Sequence, residues 1–267
     1  MKAEPRIGAY IIAIGGIPRN PALPIQLESQ LNSTGPVRVI HAITPSQISV
    51  SEMEYLQVNG SRFLGRDISH LEVAVTSSHN YCYKDALSKD YDYAIIFEDD
   101  MQIKASEEFK KFLRNLQYSN LPRITTFFSP FWGVWKEVDN IFKAVIPPAY
   151  ASAYLINRSA MLTATKSPPI GLADWPSWRK SVEFEYVEMK SISLSLTDST
   201  LEESRSISKQ ATKKIRSLFN LRNLSVVSFS QKFEQIYWHP TIWKFYLRRE
   251  LKKNKLRHIG DNSSIFL

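Results

Sequence analysis

The sequence predicts an α/β domain whose mostly parallel sheet is flanked by helices. Three observations carry that expectation. Two apolar runs, "GAYIIAI" at Gly8 to Ile14 and "YAIIF" at Tyr93 to Phe97, read as strands buried on both faces. A helical stretch with its own start signal precedes the second run, and a crossover of that length joins parallel strands. The chain is 267 residues long, 43% hydrophobic and 12% aromatic, enough to build a core and to exclude global disorder.

The elements follow in order. After the first strand, "GGIPRNPALP" is a turn-rich loop. "IQLESQL" (Ile25 to Leu31) suits a short helix, and "VRVIHAI" (Val37 to Ile43) a second strand. Thr44 to Arg66 is polar and shows no clear period. Ser69 and Glu72 form an S-x-x-E capping box, in which each side chain satisfies the other residue's free amide. Apolar residues at Leu71, Val75, Cys82 and Ala86 then continue at near-helical spacing to about Ser88. "KDYD" turns the chain into "YAIIF". "RITTFFS" (Arg123 to Ser129) is a strand, "FWGVW" an aromatic loop, and "AYASAYLI" (Ala149 to Ile156) a strand of alternating small and large residues. Asn157 caps a helix over Ser159 to Thr165. "KSPPIGLADWPSW" is a Pro-rich loop, and "VEFEYVEM" (Val182 to Met189) alternates as a half-exposed strand.

Charge divides the chain. Arg205 to His258 carries 14 Lys or Arg against Glu234 and Glu250, whereas residues 1–204 sum to −3. We therefore expect a domain over 1–204 and a basic, helical segment over 205–267, with "IWKFYLRRELKKNKLR" (Ile242 to Arg257) as its helix. Such a segment seeks phosphate on lipid head groups, nucleic acid or nucleotides. No zinc-finger spacing or RNA-recognition signature points to specific nucleic acid. Cys82 is the single cysteine, which excludes an internal disulfide and fits a reducing compartment. No run approaches the roughly 20 apolar residues of a membrane span, and the N-terminal apolar stretch reads as a strand rather than a leader.

"YAIIF" stops at Glu98, Asp99 and Asp100. Adjacent carboxylates repel and lose hydration when partly buried, so the triplet needs compensating cations. A divalent ion is one, since its hard charge prefers oxygen ligands. In an open α/β sheet, ligands sit beyond the carboxyl ends of the strands. Successive residues of an extended chain alternate, so Glu98 and Asp100 are expected to face one side together. The competing reading is a solvated turn before a helix in "SEEFKKFLRNL".

The segment "LGRDISHLEVAVTSSHNYCYKDALSKDYDYAIIFEDDMQI" resembles the core of glycosyltransferase family 25, the bacterial lipooligosaccharide glycosyltransferases and their collagen galactosyltransferase relatives. Gly65, Ser69, His70, Leu71 and Glu98-Asp99-Asp100 match the family's glycine, Ser-His-Leu helix start and Glu-Asp-Asp strand end. "YASAYLINRSAM" resembles a later small-residue strand and helix, and Asp174 in "LADWP" a further acidic position. Ala13 to Asn20 departs from the family's Asn-Leu and Arg-rich start, and Gly65-Arg66 from its Gly-Cys.

The resemblance implies a Rossmann-like GT-A type fold and inverting hexose transfer, commonly of galactose, from a UDP-sugar to a glycan or glycolipid, assisted by Mn²⁺ or Mg²⁺. It assigns the metal or diphosphate to Asp100 and Glu98 and donor contacts to Glu98, Asp99 and His70. Arg19, in the loop after the first strand, is a candidate for phosphate. Inversion needs a base at the acceptor hydroxyl. Asp174 is the candidate, with Glu183 and Glu185 as rivals; Trp175 and Trp178 suit an acceptor platform, against the competing reading of ordinary packing of a Pro-rich loop. His79, His41, His239 and His258 show no metal spacing, and Tyr81 and Tyr83 read as packing. The basic segment would hold the protein at the cytoplasmic face of an anionic membrane. The other reading is a non-catalytic protein of the same fold, binding membrane or nucleic acid through that segment. A metal-dependent hydrolase lacks the further ligands it would need.

Overall fold

The computed structural model describes residues 5–31, 36–127, 133–138, 141–146, 151–187, 189–194 and 257–259. Strand β1 (Ile7–Ala13), helix α1 (Leu23–Glu28), β2 (Val37–His41), α2 (Val50–Leu64), α3 (His70–Ser88) and β3 (Tyr93–Glu98) form the N-terminal half. Then come β4 (Met101–Ile103), α4 (Glu107–Arg114), β5 (Arg123–Thr126), β6 (Gly133–Val138), β7 (Ile141–Ile146), β8 (Ala153–Asn157), α5 (Arg158–Thr165), β9 (Glu183–Tyr186), β10 (Ile192–Leu194) and β11 (Arg257–Ile259).

Nine strands make one sheet in the order β11-β6-β7-β9-β5-β8-β3-β1-β2, and β4 pairs with β10 apart from it. β1, β2 and β3 are mutually parallel. β8 runs against both β3 and β5, β9 runs with β5, and β7 and β11 run against their neighbours. Six strands therefore point one way and three the other, the Rossmann-like arrangement expected. Of the basic segment, only Arg257–Ile259 is described. It pairs as a strand with β6, so the expected helix cannot include Arg257, and the remainder of that expectation lies outside the described residues.

Alternation along the strands builds two cores. Ile7, Ala9 and Ile11 of β1 and Ile95 and Phe97 of β3 pack under Leu23 and Leu27 of α1 and Phe109 of α4. Tyr10 and Ile12 with Ala94 and Ile96 pack under Cys82, Tyr83 and Ala86 of α3 and Ala160, Met161 and Ala164 of α5. Burying a large apolar side chain contributes about 1.5–3 kcal/mol, so this central strand pair anchors the sheet. Burial also pushes the Cys82 thiol above its ordinary range, which leaves it inert as a nucleophile.

Local signals set the helix ends. The capping box is present in full: the Ser69 hydroxyl accepts from the Glu72 amide, and Glu72 accepts from the Ser69 N–H at 2.8 Å. Burial pushes the Glu72 carboxyl up, but hydrogen bonds from Arg66 and Ser69 more than reverse this and hold it below the ordinary range. Asn157 caps α5 by accepting from Ala160 N–H at 3.0 Å, and its amide donates to the Leu121 carbonyl at 2.7 Å. The stretch without a clear period holds α2. Its buried stripe is thin, Met53, Leu56, Gly60 and Leu64, and includes a glycine. The signals for it were at its ends, Ser49 accepting from Glu52 N–H and Gly65 closing the helix at φ 67°.

Candidate active site

β3 places the first carboxylate. Period two sends Tyr93, Ile95 and Phe97 to one core and Ala94 and Ile96 to the other. Glu98 continues the second set and faces α3, where its Oε1 lies 3.7 Å from His79 Nε2. His79 is 2% exposed. Its Nδ1 lies 2.7 Å from the Tyr154 hydroxyl, which lies 2.7 Å from that of Tyr83.

The alternation ends at Glu98. Asp99 and Asp100 form the turn between β3 and β4, and both reach the same cation. Arg19, between β1 and α1, donates from Nε to Asp99 Oδ1 at 2.8 Å. Its Nη2 lies 2.7 Å from that oxygen and 3.2 Å from Asp100 Oδ2. Asn20 fastens the loop, its N–H donating to the Asp99 carbonyl at 3.1 Å and its side-chain amide to that of Met101 at 3.0 Å. The chain thus supplies part of the compensation the triplet needs, and the guanidinium expected to meet phosphate is engaged by carboxylates. Burial disfavours the charge on Arg19, but Asp99, Asp100 and Glu98 outweigh it and hold the group above its ordinary value.

Asp100 is the poorly compensated member. Its Oδ1 is buried with no hydrogen-bond partner among the described residues. Burial first, then the charge of Glu98, pushes its carboxyl up to about 6, with Arg19 countering only in part. The three carboxylates, Arg19 and His79 form the polar end of a cleft whose other wall is apolar, with Ile12, Ala42, Ile43, Leu71 and Val75.

The other expected residues fall in different places. Asp174 is half-buried, and its Oδ1 accepts from Ala151 N–H at 2.8 Å. The next residue, Ser152, accepts from Glu98 N–H at 2.9 Å, so Asp174 sits at the same end of the sheet as the triplet, although neither it nor Trp178 is among the residues lining the cleft. Gly171, at φ 105°, shapes that loop: a Cβ there would meet the Trp175 carbonyl at 2.5 Å. Trp175 is corrected to packing. It is 5% exposed, in a cluster with Met53, Leu56 and Ile68, and the Arg179 guanidinium stacks on its ring. Trp178 is half-buried and edge-on to Tyr83, with centroids 6.1 Å apart. His70 is exposed, bonded at 3.2 Å to Gln57 Oε1, and is not among the residues lining the cleft. Glu183 and Glu185 both pair with Arg123, which opens β5, away from the carboxyl ends.

Comparison with known proteins adds the family. The pattern of glycosyltransferase family 25 (LPS biosynthesis protein) matches residues 18–163, more than half of the chain. The chain belongs to glycosyltransferase family 25. No curated protein matches it. Among solved structures it is similar to CMP:2-keto-3-deoxy-manno-octonic acid synthetase complexed with CTP, at 13% identity and a TM-score of 0.39, covering 77% of this chain and 99% of that one.

This family 25 transferase is an enzyme whose triplet, Arg19 and Asp174 come from three separate stretches of chain. Sequence reasoning missed His79. The Ser-His dipeptide occurs twice, and the second copy, Ser78-His79, shares a helix face with Cys82, Tyr83 and Ala86, all of them buried. That phase was the available signal. As to a metal, no three His, Cys, Asp or Glu among the described residues converge as a ligand group. Magnesium-type sites commonly use one or two carboxylates and take their other ligands from water and substrate phosphate. The unpartnered Oδ1 of Asp100 with Glu98 beside it fits that smaller donor set.

Proposed function

We propose that this transferase moves a hexose, galactose first among candidates, from a UDP-sugar to a glycan or glycolipid acceptor with inversion at the anomeric carbon. The observation that carries this reading is the carboxylate triplet at the end of β3, facing a cleft with one apolar wall and holding a buried, unpartnered Asp100 oxygen. Such a cleft offers an apolar surface to a base and a polar end to a sugar diphosphate. A divalent cation held by Asp100 and Glu98 would supply positive charge to the departing diphosphate. Asp99, tied to Arg19, keeps the loop after β1 against the end of β3.

Asp174 serves as the base. It takes the proton of the acceptor hydroxyl as that oxygen forms its bond to the anomeric carbon and the bond to the diphosphate oxygen breaks. Its hydrogen bond from Ala151 N–H fixes one oxygen and sets the carboxylate's direction. Trp178 is the remaining aromatic candidate for the acceptor side. The basic stretch Arg205 to His258 supports attachment to the cytoplasmic face of an anionic membrane, at about 1 kcal/mol per engaged cation. No helix among the described residues is long and apolar enough to cross a membrane.

Calorimetric titration with UDP and UDP-hexoses, with and without Mn²⁺, tests the reading. Binding that strengthens with Mn²⁺ is expected. A folded protein that binds no UDP ligand would overturn the UDP-sugar reading. Asp174→Asn separates the base from binding: turnover is expected to fall by about 10²–10⁴-fold with donor affinity unchanged. Equal turnover would move the base elsewhere.

A further inference from the structure

One buried ring nitrogen in the cleft has no hydrogen-bond partner among the described residues and no part in the mechanism above. His79 is 2% exposed, lines the cleft, and has no hydrogen-bond partner at Nε2 among the described residues. An orphaned ring nitrogen in a buried site costs free energy unless something completes it. Its other nitrogen is already fixed by Tyr154, which stacks on the ring with centroids 5.8 Å apart. If Tyr83 donates to Tyr154 and Tyr154 to Nδ1, the ring proton is left on Nε2, directed at Glu98. The 3.7 Å between Nε2 and Glu98 Oε1 is too long for a hydrogen bond. It suits a third atom: two atoms that far apart can both lie about 2.8 Å from one oxygen above the gap. That oxygen would accept from Nε2–H and donate to the carboxylate, which a hydroxyl does and a phosphate oxygen does not.

We propose that His79 and Glu98 together grip one hydroxyl of the donor hexose, so that His79 is a sugar-binding residue and Tyr154 the positioning residue that holds it. The inference rests on the UDP-sugar reading. It separates two parts of the ligand, because His79 recognises the sugar and not the nucleotide. Glu98 then has a sugar contact in addition to any cation it helps to hold. A hydroxyl gripped by a buried donor and acceptor is strongly discriminated, since the analogue lacking it leaves both groups unpaired.

The test measures dissociation constants of UDP, UDP-hexose and the monodeoxy UDP-hexoses for wild type, His79→Leu, His79→Gln and Tyr154→Phe, with thermal melting to establish folding. For His79→Leu, UDP affinity is expected to hold within about twofold while UDP-hexose binds about tenfold more weakly. His79→Gln, which returns an amide donor near the place of Nε2, should recover most of that loss, and Tyr154→Phe should fall between them. One monodeoxy donor should bind wild type about tenfold more weakly than its parent, and His79→Leu should not distinguish the two. The proposal is overturned if His79→Leu binds UDP-hexose as tightly as wild type, or if UDP and UDP-hexose lose affinity equally, the mark of a structural role. If wild type binds UDP-hexose and the variants match it, this proposal alone fails. If wild type binds no UDP-hexose, the reading beneath it fails and takes this one with it.

Discussion

Asp100→Asn is expected to abolish sugar transfer and, in the same protein, to raise the stability of the unliganded fold at neutral pH. The two effects share one cause. The carboxyl is pushed from 3.8 to about 6 by burial and by Glu98, so the folded state holds this proton more tightly than the unfolded chain does. Stability therefore falls as pH rises through the window between those two values, and above it the ionised carboxylate is a standing cost. About two pKa units correspond to roughly 3 kcal/mol. The cleft is open to water, and about half of that figure is expected. The amide variant should melt higher than wild type at pH 7.5, with the gap closing as pH drops to about 4. Mn²⁺ should stabilise wild type and not the variant. Transfer of labelled hexose to extracted glycolipid should be lost. Full activity would remove Asp100 from the site, and an unchanged melting curve would show that water reaches the carboxylate freely.

Arg19→Met is expected to have the opposite sign. It leaves Asp99 and Asp100, whose side chains are only 9% and 11% exposed, without their cation. Removing one member of a well-buried pair costs 3–5 kcal/mol. Arg19 is itself 26% exposed, so about 2 kcal/mol is expected, a fall in melting temperature of roughly 4–8 °C for a domain this size. The loss should shrink as pH falls through about 6 and Asp100 takes up its proton, and Mn²⁺ should restore part of it. A variant that melts like wild type at pH 7 would show that Asp99 and Asp100 do not depend on Arg19.

The sequence showed its framework where one local rule acted alone. Apolar runs located β1 and β3, and the capping box and the Asn157 cap located α3 and α5 to within a residue or two. It failed where signals were thin or distant. The stripe of α2 was diluted by Gly60, and "FWGVW" reads as a loop although its last three residues begin β6. At the site, the acidic triplet and Asp174 could be named from residue type. The partner of Asp99 could not, because Arg19 comes from a loop after another strand and only the β1–β3 pairing brings the two together. Extended alternation was projected one residue too far: Asp100 lies on a turn and meets Arg19, and it is this turn, not strand alternation, that leaves it lining the cleft with Glu98. His70 and His79 show the same limit. Both follow a serine on α3, and only helix phase separates an exposed ring from a buried one.

The place of β8 has a consequence for synthesis. It fills the gap between β3 and β5, yet it is made about 60 residues after β3. While the ribosome is adding those residues, this apolar strand has its amides and carbonyls bare along one edge, the condition under which chains pair with each other. Tyr154, which holds the His79 ring, arrives on that same late strand. Covering of the edge and completion of the wall that carries His79 are therefore one event, and a nascent chain that still risks aggregation has no finished cleft to fill.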